Sequence, residues 1–151
     1  MTALTDRPVR LQVASTPAHL AVVRAATEAA CRLVGFDARC TTEVVLSVGE
    51  ALANIVRHAY GGAGDGPIEI ELSTVEGPAG DGLRVRLRDC GRGVEPRRLR
   101  RRDPSALRAG GRGVHIMRQC MDVVDYQQAE GGGTVLTMFK RLPTGREGPR
   151  P

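Results

Sequence analysis

Hydrophobic and polar residues alternate in several short segments of the chain, and this alternation predicts strands. Apolar and polar side chains alternate along residues 9–15, 68–72 and 83–89. Two further strands are predicted at 123–130 and 134–142, on either side of a turn of three glycines. Because successive side chains of a strand point to opposite faces, each segment has one face to bury. The strands at 68–72 and 83–89 are expected to pair as an antiparallel hairpin.

Three other segments have helical patterns. The first helix is expected to begin after a hydroxyl cap at Ser15 or Thr16, with Pro17 in its first turn, and to end at Gly35. The second is predicted from Thr41 or Thr42 to about residue 58, and the third over residues 114–122. The arginine-rich and glycine-rich stretch at 91–113 is predicted to be a lid-like loop, because loops of this length are usually functional or mobile.

This order of elements predicts an α+β fold. Strands in adjacent pairs with few helices favour a two-layer sandwich, in which helices cover one face of a mixed, mostly antiparallel sheet. At 151 residues the chain is long enough for one domain with a single core. We expect that domain to span residues 1–142 and a disordered tail to span 143–151.

Composition narrows the class of protein. No apolar stretch approaches the roughly 18 residues of a membrane span, and the first residues lack the apolar centre of a signal peptide, so a cytoplasmic location without membrane contact is expected. The four cysteines show no zinc-binding spacing and are expected to be free thiols. The net charge is +5, but aromatic residues make up only 3% of the chain and Trp is absent. A base-stacking surface, and with it direct nucleic-acid binding, is therefore not expected.

The second predicted helix carries a row of polar side chains beside its apolar face. Glu43, Ser47, Glu50 and Asn54 recur at intervals of three and four, so they share one side of the helix. A carboxylate can activate a nucleophile, and an amide oxygen is a hard ligand suited to magnesium. Taken alone, however, the same row fits an exposed polar face.

Three glycine-containing segments are further candidates. Asp89 ends a strand and opens the sequence Asp-Cys-Gly-Arg-Gly, where glycine permits close approach to a flat ligand. The glycine cluster ending at Gly113 opens the third helix, whose first N–H groups can bind phosphate. It is neither a Walker A loop nor a dinucleotide fingerprint. A third glycine turn precedes Thr134. Taken singly, the first segment fits a strand-ending turn, the second a flexible hinge and the third a simple glycine turn.

In their order along the chain, these four features resemble the ATP-binding motifs of the GHKL superfamily, which includes gyrase and the histidine kinases. The likeness is greatest to its short single-domain branch, the bacterial anti-sigma-factor serine kinases. It covers about residues 9–142 and rests on the segments GEALANIVRHAYGG and GGRGVHIMRQCMDVVDY. The resemblance implies the Bergerat-type ATP-binding fold, which agrees with the predicted element order.

The resemblance also implies a role for each matching residue. Glu50 is expected to be the catalytic base, Asn54 the magnesium ligand and Asp89 the acceptor for the adenine amine. The remaining ATP-binding residues would line the adenine pocket, support Asp89 through water or wrap the phosphates: Gly91, Gly93, Thr134, Gly111, Gly113 and Val114. Lid arginines would add positive charge, with Arg108 and Arg112 as candidates. The chain departs from the family pattern at Cys90, at His115 and in the exact place of the lid arginine.

The function implied by this resemblance is that of an ATP- and magnesium-dependent serine/threonine kinase that also acts as an anti-sigma factor. Its partners would be a STAS-domain anti-anti-sigma protein, which it phosphorylates, and a sigma factor. The resemblance also allows a homodimer. Two alternatives share the ATP site: a switch kinase that never binds a sigma factor, and a nucleotide-gated binding module without chemistry. The presence of Glu50 favours a kinase, because a binding module has no need of a base.

Overall fold

The computed structural model describes residues 7–61, 66–91 and 112–144. Within these ranges lie the strands β1 to β5, the helices α1 to α3 and one π-helical turn. In chain order they are β1 (Val9–Ala14), α1 (Pro17–Val34), α2 (Ala38–Asn54), the π turn (Ile55–Ala59), β2 (Pro67–Val75), β3 (Gly82–Asp89), α3 (Arg112–Cys120), β4 (Val123–Gln128) and β5 (Thr134–Arg141).

The strands form a single sheet in the order β1-β2-β3-β5-β4. All four pairings between described strands are antiparallel, so no parallel pairing of a mixed sheet is present in this part of the chain. The predicted α+β sandwich is confirmed, as is the hairpin of β2 and β3. The strands β3 and β5 become neighbours although α3 and β4 separate them in sequence.

The two faces of the sheet differ in chemistry. Ile68, Ile70 and Leu72 of β2 are at most 2% exposed and join a core with residues of α1 and α2. On the opposite face, Arg10 of β1 forms an ion pair with Glu71 at 3.0 Å. The helices therefore cover one face, as the alternation predicts. None of the helices in the described ranges is long and apolar enough to cross a membrane.

The first helix begins and ends where its sequence signals predict. The Thr16 hydroxyl accepts a hydrogen bond from the His19 N–H, and Pro17 is the first helical residue. Gly35 follows the helix with a φ of 91°, a left-handed conformation that favours glycine. The start of α2 was predicted too late, since it lies at Ala38 rather than at Thr41 or Thr42. Its cap is the Asp37 carboxylate, which accepts from the Cys40 N–H at 2.8 Å.

The end of α2 changes to a π turn before the chain leaves the helix. The Tyr60 N–H donates to the Ile55 carbonyl at 3.3 Å, five residues back, whereas an α-helix would bond four residues back. One extra residue is thereby accommodated, and Tyr60 follows directly on the helix end. This turn is the link between α2 and the carboxyl end of β3.

Lys140, the only lysine in the sequence, ties three elements together. Its ammonium group donates to the Glu43 carboxylate on α2 and to the Cys120 carbonyl at the end of α3, both at 2.6 Å. The hydrogen bond from Lys140 is the main cause that lowers the pKa of Glu43. The contact anchors the carboxyl end of α3, whose amino end lies beside Glu50.

Candidate functional site

Glu50 and Asn54 lie one turn apart on α2 and face the beginning of α3. A Cβ atom added at Gly113 would lie 2.7 Å from Glu50 Oε2 and 3.5 Å from Asn54 Nδ2. Any side chain at this position would displace the Glu50 carboxylate. The polar row on α2 is therefore not a solvated face: Ser47 is fully buried, Glu43 is paired with Lys140, and the other two residues meet α3.

Of the two polar atoms of the Asn54 amide group, the nitrogen is hydrogen-bonded and the oxygen has no partner among the described residues. The Asn54 amide hydrogen-bonds the Tyr126 hydroxyl, which lowers the pKa of that phenol, but burial dominates and raises it to about 12. Among the described residues, nothing donates to Asn54 Oδ1, although this oxygen is buried. A buried acceptor without a donor is costly unless it has another partner, such as a cation. Tyr126 thus holds the amide in an orientation that leaves its oxygen without a hydrogen bond from the described residues.

Asp89 ends β3 on the face that looks toward the helices and is only 4% exposed. Its carboxylate accepts from the Gly91 N–H at 3.0 Å and from the Thr134 backbone N–H. Burial raises the pKa of Asp89 above its usual value, although both hydrogen bonds act in the opposite direction. The site therefore holds a buried carboxyl group that would gain from a further donor such as an amine.

Two glycines allow the backbone to close around Asp89. A Cβ at Gly91 would overlap Ala59 of the π turn, and a Cβ at Gly133 would overlap the carbonyl of Asp89. Gly133 also has a φ of 87°, where an L side chain is strained. The turn before Thr134 carries no functional weight in the sequence by itself, but here it packs directly on Asp89. Thr134 contacts the Asp89 carboxylate through its own backbone N–H.

The two halves of the site meet around the π turn and Tyr126. Asn54 directly precedes the π turn, whose last residue contacts Gly91. Tyr126 hydrogen-bonds Asn54, and it is close enough to Asp89 for the negative charge of that carboxylate to raise the pKa of the Tyr126 phenol. The structure therefore brings Glu50, Asn54 and Gly113 together at one end and Asp89, Gly91 and Thr134 together at the other.

The other predicted site residues have different surroundings. Val114 is 6% exposed and belongs to the hydrophobic core, so any contact it makes with a ligand would be through its backbone. Arg112 is exposed at the start of α3. Gly93, Arg108, Gly111 and the tail from residue 145 lie outside the described residues.

The donor set fits a magnesium ion that is shared with a ligand. Within the described ranges, no group of three or more His, Cys, Asp or Glu residues is arranged to hold a metal by itself. Asn54 Oδ1 is a single hard oxygen, and Mg²⁺ usually takes one or two protein oxygens while phosphate and water complete its shell. The first N–H groups of α3 are the positive end of a helix dipole and suit the phosphates of such a ligand.

Two tyrosines of this site, Tyr60 and Tyr126, are not among the residues that the sequence motifs predict. Tyr126 lies on β4, and its facing partner Leu136 belongs to the core. Tyr60 follows the π turn and hydrogen-bonds the Cys90 N–H. A signal for both existed: they are the only two tyrosines in the sequence, and each carries a polar group into a partly buried position.

Comparison with known proteins gives concordant results. A family model described as a histidine kinase-like ATPase domain matches residues 13–140. Proteins named serine-protein kinase RsbW from Listeria monocytogenes (serotype 4a, strain HCC23) and Listeria innocua are each 27% identical over 139 residues, which cover 87% of this chain and 86% of the relative.

Two solved structures share the fold. The RsbU and RsbW domains of Rv1364c from Mycobacterium tuberculosis align with a TM-score of 0.59 and 19% identity over 89% of this chain. The match spans only 32% of that longer chain. The histidine kinase domain of the Erythrobacter litoralis EL346 blue-light activated histidine kinase aligns with a TM-score of 0.50 and 20% identity, covering 83% of this chain and 60% of that one.

Proposed function

Because the chain belongs to the family of histidine kinase-like ATPase domains, we propose that it binds Mg-ATP and transfers the γ-phosphoryl group to a serine or threonine of a partner protein. The observation that carries this proposal is that Glu50 and Asn54 both lie against Gly113 at the amino end of α3, and that the buried amide oxygen of Asn54 has no hydrogen-bond partner among the described residues. The serine-protein kinase name of the Listeria relatives supports the same activity.

The adenine ring of ATP would bind at the Asp89 end of the site. A buried carboxylate can accept a hydrogen bond from the exocyclic amine of adenine, which would supply the donor that this environment favours. Gly91, with Gly93 beyond it, would leave room for the flat ring. Thr134 would keep the carboxylate in place through its backbone N–H.

The phosphates would bind at the amino end of α3. Gly113, with Gly111 before it, lets the backbone approach a phosphate closely, and Arg112, with Arg108 in the preceding segment, would add positive charge. A bound Mg²⁺ ion would neutralise phosphate charge, with Asn54 Oδ1 as its protein ligand.

Glu50 would act on the nucleophile. Its carboxylate would accept the hydrogen bond of the serine or threonine hydroxyl and take up the proton as that oxygen bonds to the γ-phosphorus. The bond between the γ-phosphorus and the bridging oxygen breaks in the same reaction, and ADP keeps that oxygen. Gly113 would keep the carboxylate in reach, because any larger residue there would displace it.

The partners follow from the resemblance to anti-sigma-factor kinases. The proposed substrate is a STAS-domain anti-anti-sigma protein, and the proposed second partner is a sigma factor that the chain sequesters. A homodimer is part of this proposal. Pull-down with sigma factors and STAS proteins of the same cell would test it, and capture of a STAS protein without any sigma factor would favour the switch kinase.

The first prediction concerns Glu50. Glu50→Gln should lower phosphoryl transfer by about 100-fold or more, because a general base contributes roughly that much, while Mg-ATP affinity changes little. Transfer from labelled ATP to a STAS protein measures the rate, and titration calorimetry measures affinity. Glu76→Gln, an exposed residue between β2 and β3, is the matched control.

The outcomes of this experiment separate the candidate functions. Full transfer by the Glu50→Gln variant would contradict its role as the base. Tight Mg-ATP binding by the native chain without transfer to any partner would favour the nucleotide-gated binding module instead.

A further inference from the structure

The hydroxyl of Tyr60 connects two strands at the point where they separate. It accepts a hydrogen bond from the Cys90 N–H at 2.8 Å and donates one to the Pro67 carbonyl at 2.6 Å. Cys90 is the residue that directly follows Asp89, and Pro67 is the first residue of β2. A single phenolic oxygen thus bridges the end of β3 and the beginning of β2.

The register explains why a bridge is needed there. The last pair of β2 and β3 is Ile68 with Asp89, so the next position would pair Pro67 with Cys90. Proline has no N–H to return to the neighbouring strand, and the ladder stops. The Tyr60 hydroxyl takes the place of a direct backbone contact, since it bonds both the Cys90 N–H and the Pro67 carbonyl.

The ring of Tyr60 is itself held in position. It lies so close to Gly66 that a Cβ at that glycine would overlap the ring. Ala59, the preceding residue, contacts Gly91 on the other side of the turn. The N–H of Gly91 in turn donates to the Asp89 carboxylate. A continuous series of contacts, through Ala59 and Gly91, therefore links the end of α2 to the Asp89 carboxylate.

From this geometry we propose that Tyr60 is a positioning residue that sets the selectivity of the site for adenine. This inference rests on the proposed function, in which Asp89 accepts the adenine amine. Tyr60 touches no ligand in this assignment. It fixes the turn of Asp89, Cys90 and Gly91, and without its hydroxyl the Cys90 N–H and the Pro67 carbonyl lose their shared partner.

Tyr60→Phe tests this role by comparing ATP with ITP, which lacks the 6-amino group. Calorimetry with Mg²⁺ should show that the variant binds ATP about 10-fold more weakly, the value of one well-placed hydrogen bond, and ITP less than about 2-fold more weakly. Thr27→Val is the matched control, since it also removes a hydroxyl that donates to a backbone carbonyl, but one that is buried on α1. It should leave both affinities unchanged.

Gly66→Ala provides a second, independent variant that keeps the hydroxyl and displaces the ring. The same selective loss of ATP affinity is expected, which keeps the proposal testable where Tyr60→Phe does not fold. Amide hydrogen exchange without nucleotide tests the structural half: exchange at Cys90 should become about 10-fold faster in Tyr60→Phe than in Thr27→Val.

The outcomes distinguish this inference from the function on which it rests. A native chain that binds ATP no better than ITP would overturn the adenine role of Asp89 and the inference with it. A native chain that prefers ATP, with variants at Tyr60 and Gly66 that keep the full preference, would overturn the role of Tyr60 alone. Equal weakening of both nucleotides would reduce Tyr60 to a purely structural residue.

Discussion

Asp89 is subject to opposing effects at the scale of one residue. Burial disfavours its charge, two backbone N–H groups favour it, and burial prevails, so its pKa is raised. A group with a raised pKa binds more protons in the folded state than in the unfolded state. Its contribution to stability therefore decreases as the pH rises from the unfolded value through the folded value. The charged form of Asp89 therefore lowers the folding stability at neutral pH.

The prediction at this scale compares Asp89→Asn with the native chain across the acidic range. The unfolding free energy of the variant minus that of the native chain should increase as the pH rises above 3.8, by at most about 1.4 kcal/mol per pH unit. The increase should end above the raised pKa of Asp89. Urea unfolding at a series of pH values measures it, and a difference that is flat or falls with pH would contradict the assignment.

The motif residues could be predicted from the sequence, but the residues that hold their side chains in place could not. Glu50 and Asn54 are recognisable because four residues along a helix place two side chains together, and Asp89 because it ends an alternating strand. Tyr126 meets Asn54 across 72 positions of sequence, from 126 − 54, and no local pattern encodes such a contact. The functions of these residues stay predictions, since only variants can test them.

The second helix illustrates what local signals miss at the scale of an element. Its apolar stripe is predictable from the spacing of the residues, whereas the prediction of a start at Thr41 or Thr42 does not include Asp37 as the cap. The π turn had no local signal, because its extra residue is stabilised by contacts of Ala59 and Tyr60 with the distant turn after β3. Such turns are often found at functional sites.

The contact of Lys140 with Glu43 and Cys120 joins α2, α3 and β5, and its contribution to stability can be measured by substitution. Lys140→Met should lower the unfolding free energy by about 1–3 kcal/mol at neutral pH, because Glu43 loses its main partner while three-quarters buried. The pKa of Glu43 is lowered in the folded state, so this contribution is present above pH 4.5 and is lost as the pH falls through the folded value. Urea unfolding at neutral and acidic pH measures both effects.

The control for this contact is Arg39→Met, which removes the other partner of Glu43. Arg39 is 86% exposed and its ion pair at 3.1 Å is open to solvent, so a much smaller loss is expected. A loss as large as that of Lys140→Met would mean that burial of the ammonium group is not what stabilises the three elements.

At the scale of the whole molecule, the alternation of residues predicted which face of each strand is buried. It did not predict the strand order, because β3 and β5 are neighbours in the sheet although α3 and β4 lie between them in sequence. The family resemblance supplied the expected fold, and the antiparallel sheet with its helices on one face agrees with it. The lid arginine Arg108 lies outside the described residues, and its role stays a prediction.

The prediction for the whole molecule is a thermodynamic linkage between the site and the fold. Mg-ATP at about 100 times its Kd should stabilise the native chain by about 2.7 kcal/mol, or roughly 5–10 °C in Tm. Removing Mg²⁺ with EDTA should abolish much of this rise in Tm. The Asn54→Ala variant should show only a small Tm shift with ATP, whether Mg²⁺ or EDTA is present. A variant whose Tm shift still depends on Mg²⁺ would contradict the role of Asn54 Oδ1.

The distribution of the four thiols has a practical consequence. Cys31 and Cys40 are buried, and burial raises the pKa of the Cys31 thiol to about 12, which makes it inert. Cys120 is half-buried, whereas Cys90 is exposed and directly follows Asp89. Cys90 is therefore the most exposed thiol for a thiol-specific fluorophore, and it lies directly after Asp89, the proposed acceptor for the adenine amine. The molecule contains its own reporter position, and nucleotide binding could be followed optically without introducing a cysteine.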